Sequence, residues 1–341
     1  MSNPLSHAIQ RLAYGSSLSA EETAAAFGVV MRGEAQPAQI AALLMGLRVK
    51  GESAEEIAGA ASALRAAMVP LVVRRPDLLV DTCGTGGGVV GTFNISTAAA
   101  FVAVGAGIRV AKHGNRSYTS RSGSADVLEA AGVDIGISPE RAARVLEDVG
   151  IVFLFAPAYH PAMRHVAPTR KELGVPTVMN LLGPLVNPAG ASRQVLGVAD
   201  AVRAPAVSHA LARLGCTHAL VVHAEVGMDE ISPHGRTRVW EVEGGRVTEW
   251  LLDPAEFGLA QEDLGALAGG SPEENARRMG ALLGGARDPV ARAAVVLNAA
   301  AAIYVSSGGG TFREAVGKAQ AALDQGKAAE AFARLREMAP R

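Results

Sequence analysis

The stretch over residues 80–131, VDTCGTGGGVVGTFNISTAAAFVAVGAGIRVAKHGNRSYTSRSGSADVLEAA, most constrains what this chain can fold into. A short apolar run, 78–80, closes on Asp81 and reads as a strand. Gly84-Thr85-Gly86-Gly87-Gly88 follows, where glycine allows positive φ and leaves no Cβ between backbone N–H groups and a bound anion. The loop runs through Asn94-Ile95-Ser96-Thr97 into an Ala-rich helical pattern over 98–105. Ser96 or Thr97 is expected to cap that helix, whose positive end would face the loop. Residues 108–111 read as the next strand, ending at Lys112-His113-Gly114-Asn115-Arg116. A second small-residue loop, 117–124, leads into a helix over 125–131. Two cations, an amide and several hydroxyls should therefore meet where two parallel strands end, the usual ligand crevice of an open α/β sheet.

A glycine-rich strand–helix turn is by itself often only a tight connection. No Gly-Lys-Ser/Thr follows the glycines, which excludes a Walker A loop. The second strand ends in Lys112 rather than in the acidic residue of a dinucleotide site. A cation there favours phosphate over a ribose diol, and the two loops with that lysine point to a phosphorylated ligand.

The alternation of strand-like and helix-like runs from residue 78 onward predicts an α/β fold. Its mostly parallel central sheet is flanked by helices, with a small all-helical N-terminal domain. Residues 1–72 read as helices only. Ser19-Ala-Glu-Glu22 and Ser53-Ala-Glu-Glu56 are capping boxes, and Gly33 and Gly51 are expected stops. Three or four short helices bury little alone, so this domain is expected to pack on about residues 160–188 or on a second subunit. It reads as a helical cap with no chemistry of its own. The large domain takes residues 73–341. Within it, strands are expected over 151–155, 195–198 and 220–223, with a helix over 205–214. A peripheral hairpin over 238–242 and 246–251 is joined by Gly244-Gly245, and a glycine break at 308–310 interrupts a helical C-terminal part.

Bulk properties narrow the function class. A formal charge of −1 gives no electrostatic reason to expect nucleic acid or an anionic membrane. Cys83 and Cys216 are the only cysteines, with no metal spacing and no disulfide framework, and are expected to be buried free thiols. There is neither a signal-peptide core nor a run of about eighteen apolar residues, so a cytoplasmic protein is expected.

Three further features could carry chemistry. Asp229-Glu230 follows the strand at 220–223 and the bend at Gly227. Such pairs are usually only solvated, but a loop at a strand end lets both side chains converge. Two carboxylates and diphosphate oxygens would then suit Mg²⁺. Arg170 could take a substrate carboxylate in a bidentate pair. On a helix that also carries Arg164, Lys171 and Glu172, a surface ion pair is the reading the residues alone favour. His113, His160 and His165 show no zinc motif and read as packed or surface histidines.

The segments GTGGG…TFNIST and KHGNRSYTSRSGSADVLEA resemble the anthranilate phosphoribosyltransferases of the nucleoside phosphorylase/phosphoribosyltransferase class. HPAMRHVAPTRKELG, NLLGPLVNP, GMDEIS and GGSPEEN extend the likeness over nearly the whole chain. The resemblance implies transfer of a phosphoribosyl group from phosphoribosyl diphosphate to anthranilate, a step of tryptophan biosynthesis. It implies that Gly84, Gly87, Gly88, Thr92, Asn94, Ser96, Thr97, Lys112 and Ser124 contact the sugar diphosphate. Ser96, Asp229 and Glu230 would hold two Mg²⁺ ions, and with Lys112 they would form the catalytic set. Gly84, Asn115 and Arg170 would contact anthranilate, and the molecule would be a homodimer. A pyrimidine nucleoside phosphorylase and a non-catalytic nucleic-acid-binding relative are the alternatives. Departures from the family pattern are Gly88 where aspartate is usual, Pro176 in the usual Arg-Thr pair, and Met179 where phenylalanine is common. The first removes a carboxylate beside the diphosphate and implies altered Mg²⁺ dependence.

Overall fold

The computed structural model describes residues 3–117, 121–306, 308 and 310–341. Residues 118–120 of the second loop and Gly309 of the glycine break lie outside them.

Four helices open the chain: α1 (Pro4–Ala13), α2 (Ala20–Met31), α3 (Pro37–Lys50) and α4 (Ala54–Ala67). Both capping boxes form, Ser19 with Glu22 and Ser53 with Glu56. Helices of 10–14 residues are marginal alone in water. Their stability comes from burial: Phe27, Leu43, Leu44 and Leu47 are fully enclosed, each contributing roughly 1.5–3 kcal/mol. The core that encloses them is not made by these helices alone. Val166, Val178, Met179, Leu182, Leu185 and Val186 join it, as do Leu196, Val221 and Trp240 from one face of the sheet.

The sheet begins with β1 (Leu79–Gly84), followed by α5 (Ile95–Gly105), β2 (Arg109–Gly114), α6 (Ser124–Ala130), α7 (Pro139–Val149) and β3 (Ile151–Phe155). A crossing segment carries the short helix Ala156–Tyr159, a 3-10 turn at Pro161–His165, α8 (Ala167–Leu173) and the short helix Met179–Leu182. It leads to β4 (Arg193–Gly197), α9 (Ala204–Arg213), β5 (His218–Ala224) and the hairpin β6 (Thr237–Glu243) and β7 (Arg246–Leu252). Strand order is β3-β2-β1-β4-β5-β6-β7, parallel through β5 and antiparallel thereafter. The expected α/β class holds. The hairpin is less peripheral than its pattern suggested, because β6 pairs with β5 along its whole length and extends the sheet.

Helices α10 (Pro272–Leu283), α11 (Pro289–Tyr304), α12 (Phe312–Asp324) and α13 (Lys327–Met338) complete the chain. The sequence pattern places Arg164 and Arg170 on one helix, whereas the structure divides them between the 3-10 turn and α8. Both α5 and α11 are apolar on every side, so they are buried helices and pack against each other. That contact fixes where the N-terminus of α5 can point. Chain order reverses about β1, β2 and β3 lying on one side and β4 on the other, so the carboxyl ends of β1 and β4 form the switch point.

Candidate active site

The glycine loop leaves β1 at Gly84, and Gly86 and Gly87 take φ of +68° and +82°. Only glycine enters that region without strain. Thr85 anchors the loop to β4: its N–H donates to Gly197 O at 2.9 Å, and its Oγ1 accepts from Ala199 N at 3.1 Å. The sequence expectation for the next helix needs correction. It begins at Ile95, one residue after Asn94, and Asn94 makes no side-chain cap. Neither Ser96 nor Thr97 caps it, because both are already inside its first turn. A distant carboxylate serves that end instead, Glu230 Oε1 accepting from Ser96 N at 3.1 Å. Thr92 Oγ1 donates to Glu230 Oε2, also at 3.1 Å.

Asp229 closes onto the loop from the same side. Its Oδ2 accepts from Gly86 N at 3.1 Å. A Cβ on Gly84 would stand 2.9 Å from that oxygen, and one on Gly88 would stand 3.0 Å from Oδ1. A side chain at either position would make the carboxylate give way, by a few tenths of an ångström at Gly88. The segment carrying the pair is gripped from behind by Asn298 of α11, whose Oδ1 accepts from Ile231 N at 3.0 Å and whose Nδ2 donates to Ile231 O at 2.8 Å. Sequence reasoning missed Asn298; one amide amid the apolar run AVVLNAAAAIY was the available signal.

Lys112 comes up from β2 and is 3% exposed. Its Nζ donates to Thr82 O and lies 3.4 Å from Thr82 Oγ1 and 3.3 Å from Ser96 Oγ. Loop glycines, Lys112, Ser96, Thr92, Asp229 and Glu230 are thus joined by direct contacts around one crevice. Asn94 ties it to its rim, its Nδ2 donating to Ser122 O at 3.1 Å and its Oδ1 accepting from Asn275 Nδ2 at 3.0 Å. Ser124 Oγ faces Asn115 O at 3.4 Å just beyond the end of β2. Thr97 Oγ1 is buried without a hydrogen-bond partner among the described residues. Arg170 comes from a separate element, the last turn of α8, which packs beside α3. Cys83 and Cys216 are free but half-buried rather than fully enclosed.

Electrostatics are dominated by burial. Desolvation, then the neighbouring Asp229 charge, pushes Glu230 up to about 8. Desolvation also raises Asp229. Lys112 is lowered by desolvation, opposed by Asp81, Cys83 and Glu230. Two carboxylates held in this state favour a cation between them. The donors are hard oxygens, and no cluster of three His, Cys, Asp or Glu side chains occurs among the described residues. That set fits Mg²⁺, which needs only one or two carboxylates when substrate phosphates and water complete its shell.

Residues 6–68 match the helical bundle domain of a glycosyl transferase family, and residues 76–329 match the same family's a/b domain. The anthranilate phosphoribosyltransferase of Rubrobacter xylanophilus is 50% identical over 97% of this chain and 96% of that protein. The chain belongs to the anthranilate phosphoribosyltransferase family. A solved family member from Thermus thermophilus is 46% identical, with a TM-score of 0.91 over 97% of this chain and 98% of that one. Another, from Saccharomyces cerevisiae in complex with PRPP and Mg, is 30% identical, with a TM-score of 0.89 over 98% and 97%. The helical match ends just after α4 and the a/b match begins three residues before β1.

Proposed function

We propose that this chain transfers the phosphoribosyl group of 5-phosphoribosyl 1-diphosphate to the amine of anthranilate. The products are N-(5′-phosphoribosyl)anthranilate and pyrophosphate. The observation that carries this reading is the direct joining of the glycine loop, Lys112, Ser96 and the Asp229–Glu230 pair around one crevice. The yeast relative solved with PRPP and Mg supports the donor, and the yeast relative solved with 4-fluoroanthranilate supports the acceptor.

A ribosyl carbon losing diphosphate passes through a cationic transition state, so assistance is needed at the leaving group. Loop amides and Lys112 present fixed positive charge there, in a site whose low dielectric makes it effective. Gly84, Gly87, Gly88, Thr92, Asn94, Ser96, Thr97 and Ser124 form the remaining cradle. Mg²⁺, held by Ser96, Asp229 and Glu230, would neutralise charge on the departing diphosphate, and two ions complete the proposal. Arg170 and Asn115 would orient anthranilate, the guanidinium on its carboxylate. The aniline nitrogen is uncharged at neutral pH, so no strong base is required. Positioning can lower such a barrier by about 7–11 kcal/mol at best.

A homodimer formed through the helical domain belongs to the same proposal, as the family resemblance implies. Isothermal titration tests the main reading. Phosphoribosyl diphosphate should give heat only with Mg²⁺ present, and no Mg²⁺-dependent heat would end it.

A further inference from the structure

Strands β1 and β2 pair at Leu79↔Arg109 and Val80↔Val110 and then part. Their outer neighbours do not: β1 runs beside β4 as far as Gly84↔Gly197, and β2 beside β3 as far as Gly114↔Phe155. Val110 gives its N–H to Gly150 O on the β3 side, so Val80 bonds to the residues flanking Val110. Parallel ladders repeat every second residue. The next rung would therefore join Thr82 N–H to Ala111 O and His113 N–H to Thr82 O.

Side chains take three of those four main-chain groups. His113 N donates to Asp81 Oδ1 at 3.2 Å. Ala111 O accepts from Asn187 Nδ2 at 2.8 Å, and the same amide donates to Asp81 Oδ2 at 2.7 Å. Asn187 Oδ1 accepts from Ala189 N at 2.9 Å. Thr82 O, the third, accepts from Lys112 Nζ. Asp81 is 1% exposed and Asn187 6%, so these bonds form a buried network.

We propose that Asp81, clasped by Asn187, is a positioning residue for Lys112: it draws His113 N–H onto its carboxylate and so leaves Thr82 O free to hold the ammonium group. Without that acceptor, His113 N–H can return to Thr82 O, the rung closes, and the ammonium loses its anchor at the floor of the crevice. Asp81 is also the leading counter-charge to the buried ammonium. This inference rests on the phosphoribosyl-transfer reading, in which Lys112 meets the sugar diphosphate.

The test is titration of phosphoribosyl diphosphate with Mg²⁺ into four proteins: the unaltered chain, Asp81→Asn, Lys112→Ala and the double variant. Asp81→Asn should weaken binding about ten- to a hundred-fold, the range of a lost charge-assisted bond. The KM for anthranilate should stay within about twofold, the scatter of independent sites. In the Lys112→Ala background, Asp81→Asn should add nothing, because the group it positions is gone. Asn187→Ala, checked for folding by thermal melting, should show the same non-additivity if Asp81→Asn does not fold. Effects of Asp81 and Lys112 that multiply, or equal changes toward both substrates, would overturn the positioning role while leaving the transfer reading in place. No Mg²⁺-dependent heat from the unaltered chain overturns both.

Discussion

Gly197, at the end of β4, is where a single methyl group separates the catalytic arrangement from the stability of the fold. A Cβ there would lie 1.6 Å from Asp229 O and 2.5 Å from its carbonyl carbon. Ordinary contact begins at about 3.5 Å, so in Gly197→Ala the Asp229 backbone has to retreat by roughly 2 Å. The bonds Gly86 N to Asp229 and Ser96 N to Glu230, both 3.1 Å, then stretch beyond hydrogen-bonding range. Misplacement by about 1 Å can cost on the order of 10²-fold in rate. Overpacking costs about 1–3 kcal/mol, and in a chain of this size melting falls by no more than about 2–4 °C per kcal/mol. The expected result is a loss of about two orders of magnitude in Mg²⁺-dependent pyrophosphate release, with a melting point only several degrees lower. Pyrophosphate release is followed while Mg²⁺ is titrated, and melting is followed by circular dichroism. A variant whose rate and half-saturating Mg²⁺ both stay within about twofold of the unaltered chain would refute the reasoning.

Arg170→Ala should raise the KM for anthranilate far more than that for the sugar diphosphate, read from steady-state rates; equal changes would remove Arg170 from the acceptor site. Glu230 is raised from 4.5 to about 8, so without metal the folded state binds a proton there that the unfolded state has released. Metal-free stability should therefore fall as pH rises through that window. His113 and His160, lowered to about 3 and about 4 from 6.5, act in the opposite sense, but only below pH 6.5. Melting points measured between pH 6.5 and 8, above the histidine window, should fall as pH rises, and Glu230→Gln should flatten the slope. Asn298→Ala leaves Ile231 N–H and C=O buried and unpaired, which should cost about 1–3 kcal/mol in a denaturant melt and weaken Mg²⁺ binding.

The class of fold was legible because strands and helices alternate and because glycine marks the turn that needs positive φ. Lys112 was legible as a cation near the end of β2, which runs on two residues past it to Gly114, and Asp229-Glu230 through its place after a strand. The start of α5 was not, because local capping preferences cannot foresee that a carboxylate 134 residues away takes the Ser96 amide. Asp81 and Asn187 are separated by 106 residues and Asn298 and Ile231 by 67, so each looked ordinary in its own neighbourhood. Strand lengths were underestimated for a related reason. β1 ends in Asp81-Thr82-Cys83-Gly84, polar residues that pattern reasoning assigns to a loop, yet β4 pairs with them to the end.

The interleaved second core has a consequence for how the molecule can be divided. Val178, Leu182, Leu185 and Leu196 complete the same apolar wall as Phe27, Leu43 and Leu44, although the chain visits that wall first from one end and again from its middle. Arg65 reinforces the join, its Nε donating to Leu185 O at 2.8 Å. Trimming the first 68 residues would strip one side from that wall and expose greasy surface on both fragments. The two halves are expected to be soluble only when made together, and a transplanted helical bundle would need its matching crossing segment to travel with it.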